Sequence, residues 1–115
     1  MSDQKAIDAA ANQILTTFEK RIAKLQSELD RGEGGWVFCW DKYSLGATVI
    51  DGKPRNVGIE DAMIVGPKDR RFFQNGANEY AVLMPRKKAL RAALKSVTTS
   101  RDFIINAINQ QKEQA

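Results

Sequence analysis

Two arginines, two phenylalanines and two amides fall side by side in the stretch Gly66-Pro67-Lys68-Asp69-Arg70-Arg71-Phe72-Phe73-Gln74-Asn75-Gly76. Each type has a distinct use. The guanidinium groups of Arg70 and Arg71 can grip a phosphate or carboxylate through paired hydrogen bonds. Phe72 and Phe73 can stack on a base, and Gln74 and Asn75 can read a base edge. With Lys68 they form a set suited to a nucleotide or a nucleic-acid strand. The set sits in a basic loop, residues 66–78, between two predicted strands, and connections of that length in a compact domain are commonly functional. In a purely structural role one phenylalanine would anchor the loop and the arginines would simply be solvated.

A second basic cluster follows Pro85. Lys87, Arg91 and Lys95 recur every four residues, with Arg86 and Lys88 beside them. On a helix this spacing makes one charged face, with Leu90, Ala93, Leu94 and Val97 on the core side. Such a face can follow a phosphate backbone. It equally describes the solvated side of an amphipathic helix. The candidate ligand-binding residues are therefore Lys68, Arg70, Arg71, Phe72, Phe73, Gln74, Asn75, Arg86, Lys87 and Arg91.

Charge is concentrated in this part of the chain. The 115 residues carry a net charge of +4. Residues 1–65 are slightly acidic, whereas residues 68–101 hold nine bases against Asp69 and Glu79 alone. A basic segment of this kind attracts nucleic acid, nucleotide-type ligands or acidic protein surfaces.

The elements that position these groups follow from periodicity. In residues 1–33, Ile7, Ala11, Ile14, Phe18, Ile22, Leu25 and Leu29 recur at helical spacing, predicting one long helix closed by Gly32. It is long for a chain of this size, so part of its apolar stripe should project beyond its own core. That implies a homo-oligomer formed through the N-terminal helix. Residues 34–84 predict an antiparallel sheet of about four strands. Trp36, Phe38 and Trp40 alternate with Val37 and Cys39, and the aromatic face is expected beneath the long helix. Leu45 to Ile50 is the next strand, and Asp51-Gly52 is a hairpin turn. Lys53 to Ile59 is held to an edge by Pro54. Asp61–Val65 and Glu79–Met84 complete the strands. Residues 85–113 read as a helical pair, the first opening at Pro85 and the second on a Thr99–Asp102 capping box. The fold class is α+β, a single domain over 1–115 in the order αββββαα.

Several chemistries lack their residues. There is no histidine, which removes His-based triads and most catalytic zinc sites. One cysteine excludes an intramolecular disulfide and a cysteine metal cluster, and Cys39 reads as a small buried hydrophobe. Asp41 with Asp51-Gly52-Lys53 has the outline of a nuclease metal site, but Asp51-Gly52 is better explained as a turn and Pro54 breaks the strand required. No metal or cofactor is expected, nor a catalytic residue. No apolar run reaches the roughly 20 residues of a membrane span, and the expected address is the cytoplasm.

Leu83-Met84-Pro85, together with Ser100-Arg101 through Ala107-Ile108, resembles the ribbon-helix-helix repressors, whose motif is a strand followed by two helices. The resemblance covers about 30 residues. It implies DNA binding, but no DNA-reading residue carries over. Three expectations follow: a non-enzymatic protein that binds nucleic acid or a nucleotide through residues 68–101; a small protein-interaction module or inhibitor, of the kind mobile elements encode, that meets an acidic surface; or a ribbon-helix-helix-like repressor.

Overall fold

A computed structural model describes residues 2–40, 45–66 and 82–114. The fold is α+β. Helix α1 (Ser2–Asp30) leads into strands β1 (Trp36–Cys39), β2 (Leu45–Ile50) and β3 (Lys53–Gly58), a short 3-10 helix (Ile59–Asp61), strand β4 (Val82–Pro85) and helix α2 (Arg86–Gln114). The sheet is antiparallel in the order β3-β2-β1-β4. Pro54 lies on an edge strand, where a missing amide hydrogen costs least. Asp51 and Gly52 both take positive φ (52° and 75°), the backbone of a two-residue hairpin turn.

Helix α1 ends as its glycines dictate. Gly32 has φ +71° and its amide donates to Leu29 O at 3.0 Å, closing the last turn with a residue that tolerates the left-handed region.

The C-terminal half corrects the sequence reading. In place of a helical pair there is one continuous helix of 29 residues. Thr99 does not cap a new helix; its hydroxyl donates to Lys95 O at 2.8 Å within the same one. The physical reason lies in the residues around it. Neither glycine nor proline interrupts residues 86–114, and the helical spacing of Leu90, Ala93, Val97, Ile104 and Ile108 runs through the supposed break. The strand–helix–helix order behind the ribbon-helix-helix resemblance is therefore absent. Pro85 closes β4 instead of opening α2, and the first helical amide, of Arg86, donates to Gly35 O at 2.9 Å.

Residues 61–65 are not a strand either. Strands β1 and β2 pair at Cys39 and Gly46, and residues 62–65 bridge between them. Met63 N donates to Ala47 O at 3.0 Å, while Val65 exchanges both backbone bonds with Trp36. One amide serves each neighbour in turn, so no ladder forms. A Cβ at position 46 would stand 2.6 Å from Ala62 Cβ, so only glycine admits this crossing.

Helices α1 and α2 run antiparallel, with Glu28 meeting Arg86 and Glu19 meeting Arg101. They cover one sheet face. The main core joins Leu25 of α1, Val37 and Cys39 of β1, Met84 of β4, Ile59, and Ala89, Leu90, Ala93 and Val97 of α2. This reverses the expected orientation of β1. The faces that alternate are as read, but Trp36 and Phe38 lie in a second cluster with Ala47, Val49, Val65 and Leu83 on the far side of the sheet. Alternation says which residues share a face, not which face meets the helices. Here the small side chains of Ala89 and Ala93 pack against the slimmer pair Val37 and Cys39.

Candidate nucleic-acid interface

Arg86 is placed inward. It is 3% exposed, and its Nη2 donates to Glu28 Oε2 at 2.6 Å. Its Nε and Nη1 are buried and, among the described residues, have no hydrogen-bond partner. The guanidinium bond holds the Glu28 carboxyl below the ordinary glutamate range, with Arg31 adding to the effect. Arg86 thus joins the start of α2 to the end of α1 and does not reach solvent.

The rest of the helical cluster points the other way. Lys87, Lys88, Arg91 and Lys95 are exposed. At about 100° per residue they fall within one arc of about 100°, opposite the core positions Ala89, Ala93 and Val97. They form a stripe roughly 12 Å long. Among the described residues none of the four has an ion-pair partner. Elsewhere several cations are neutralised: Arg21 meets Glu60 at 3.1 Å, Lys24 meets Asp61 at 2.6 Å, and Arg101 meets Glu19 at 3.0 Å, whereas Lys5, Lys20, Lys53 and Arg55, scattered over other elements, have no ion pair among the described residues. The first turn of α2 holds no acidic residue. Its cations oppose the helix dipole, an unfavourable arrangement that an anion bound nearby relieves.

Lys68, Arg70, Arg71, Phe72, Phe73, Gln74 and Asn75 lie outside the described residues. Of the ten candidates, the structure brings Lys87 and Arg91 onto one surface and removes Arg86 from it. Lys88 and Lys95 belong to the same stripe. Their i, i+4 and i+3 relations to Arg91 were the signal for including them.

Comparison with known proteins adds no identity. No protein-family model matches the chain, and no curated protein or solved structure is significantly similar to it.

Other candidate chemistry is accounted for by the fold. Cys39 is buried; its Sγ lies 3.5 Å from Val82 O and 3.7 Å from Met84 Sδ, and burial pushes the thiol up to about 11. A thiol so protonated is a poor nucleophile. Phe38 is 3% exposed and unavailable for stacking, while Trp40 is half-buried and donates from Nε1 to Asn56 Oδ1 at 2.9 Å. Asp51 belongs to the β2–β3 turn. A groove of about 260 Å³ between the helices is lined by Asp8, Asn12 and Asn109 over an apolar floor. Asp8 is its single titratable group. No described helix is long and apolar enough to cross a membrane.

Proposed function

We propose that this chain is a non-enzymatic binding protein that engages the phosphate backbone of a nucleic acid through Lys87, Lys88, Arg91 and Lys95. The observation that carries the reading is the stripe itself: four exposed cations on one helical face, without carboxylate partners among the described residues, in a protein that pairs several of its other cations. The stripe lies on the convex outer side of a helix. That shape suits an extended polyanion better than a compact nucleotide, which calls for a concave site. Lys68, Arg70 and Arg71 join the proposal on sequence grounds, adding charge to the same segment.

The test is binding of single- and double-stranded DNA and RNA across a range of salt concentrations. If all four cations contact phosphates of a duplex, the logarithm of affinity should fall with that of salt at a slope of roughly −3.6. Absence of binding at low salt overturns the reading. It would favour the protein-interaction alternative, in which the same stripe meets an acidic protein surface.

A further inference from the structure

Every fourth residue of a helix stands on one ridge, each step about 6 Å further along the axis and about 40° further round it. On α2 one such ridge reads Lys87, Arg91, Lys95, Thr99 and Phe103, and all five are exposed. Phe103 is the single aromatic residue of α2. At 74% exposed it is also the most open of the large apolar side chains described. The ring therefore continues the row of cations, about 12 Å beyond Lys95. Around it, Thr99, Ser100, Asn106 and Ala107 are exposed and uncharged. The Thr99 hydroxyl is taken up by Lys95 O at 2.8 Å. Asp102 is the one acid of α2 before Glu113. Arg101 Nη2 holds it at 3.1 Å and draws it toward the α1 side, where Arg101 also meets Glu19.

We infer that Phe103 is a stacking platform for an unpaired base, so that the nucleic acid engaged by the stripe is a single strand. The inference rests on the nucleic-acid reading above and adds the class of strand. A single strand offers a phosphate at every step and bases with free faces, and a stacked base needs only one accessible ring. Cations followed by a ring along one ridge match that order: phosphates at Lys87, Arg91 and Lys95, then a base at Phe103. A duplex cannot use the ring, because each of its bases is already covered by the next. A protein partner is a poorer match. Its interface needs contiguous apolar area, whereas this ring stands alone among Thr99, Ser100 and Asn106. Stacking tolerates any base, so the preference is for strandedness and not for sequence.

The experiment titrates the full chain into a labelled single-stranded DNA of mixed sequence, and into the same sequence as a duplex, at several salt concentrations. Fluorescence anisotropy of the label reads binding. The native protein should prefer the single strand. Phe103→Ala and Phe103→Leu should each lower single-strand affinity by about tenfold or more, with the salt slope and the duplex affinity unchanged. Leucine keeps an apolar side chain without a π-face, so its loss separates stacking from apolar burial. Phe103→Trp should keep the affinity, and the bound strand should quench the emission it adds to that of Trp36 and Trp40. Arg91→Gln should instead reduce the single-strand slope by about 0.7. Far-UV circular dichroism shows that each variant remains folded.

Four results overturn the inference: a preference for the duplex, single-strand affinity unmoved by Phe103→Ala, a Phe103→Leu protein that binds like the native one, or an equal loss on the duplex. The stripe itself survives any of these if Arg91→Gln still lowers the slope. Absence of binding to either DNA at low salt overturns both readings together.

Discussion

Arg86 Nη2 and Glu28 Oε2 stand 2.6 Å apart, joining residues 58 positions apart in sequence. The arginine is 3% exposed and the glutamate side chain 15%. An ion pair so placed adds little net stability, because desolvation offsets the attraction, but removing one partner leaves the other stranded. Glu28→Ala should destabilise the fold by about 3 kcal/mol, read from urea unfolding. The double substitution Arg86→Met with Glu28→Leu should recover most of that loss. If Glu28→Ala costs less than the double, the pair is not organising this junction.

The same contact predicts a pH dependence. The folded-state carboxyl of Glu28 sits below its ordinary range, so the unfolded chain takes up the proton first as pH falls. The stabilisation is present above the ordinary glutamate range, about 4.3, and is lost as pH falls through the lower folded-state value. The stability gap between the native protein and Glu28→Gln should therefore narrow on acidification below about pH 4. A gap independent of pH would assign the effect to packing.

Ser100 distinguishes one C-terminal helix from two. Were Thr99 an N-cap, position 100 would be the first helical residue and would accept proline. Within a continuous helix, proline removes a hydrogen bond and clashes with the preceding turn, at about 3 kcal/mol. Ser100→Pro should lower the thermal midpoint and the helical signal together, and Ser100→Gly should cost about 1 kcal/mol. A Ser100→Pro protein as stable as the native one would restore the two-helix reading.

The stripe on α2 should lose affinity in equal steps. Each of Lys87→Gln, Lys88→Gln, Arg91→Gln and Lys95→Gln should reduce the salt slope of duplex binding by about 0.9, irrespective of base sequence. Arg86 lies buried and should contribute nothing to that slope; Arg86→Met acts through stability alone. A variant that changes sequence preference while keeping the slope would indicate base reading in place of phosphate contact.

Cys39 should resist a thiol-reactive dye in the folded protein at pH 8 and react fully in denaturant. Burial holds its thiol near 11, so almost no thiolate is present. Rapid labelling of the native protein would show that β4 opens from β1 readily.

Much of the fold was legible because it rests on local signals. The spacing from Ile7 to Leu29, Gly32 at the helix end, the Asp51-Gly52 turn and Pro54 at an edge each carry their meaning within a few residues. What escaped the sequence is decided between elements. Which face of β1 meets the helices depends on how closely Ala89 and Ala93 let α2 approach. The bridging course of residues 62–65 depends on where β1 and β2 diverge. The capping box at Thr99 is a true local pattern overruled by an apolar repeat that passes through it. The stripe was visible as spacing, but the inward turn of Arg86 was not. Only Glu28, 58 positions earlier, explains why the first cation of the run is buried.

The antiparallel pairing of α1 with α2 also dictates an order of events during synthesis. Helix α1 is made first, yet the helix that lines its seam follows only after every strand. Until Arg86 and the residues beyond it leave the ribosome, Phe18, Ile22, Leu25 and Leu29 have no α2 to pack against. Until then the sheet and Ile59 can cover only part of the α1 stripe, and the remainder is a natural substrate for a chaperone that holds apolar segments. Closure of that long-range pair, and not formation of either helix, should set the folding rate.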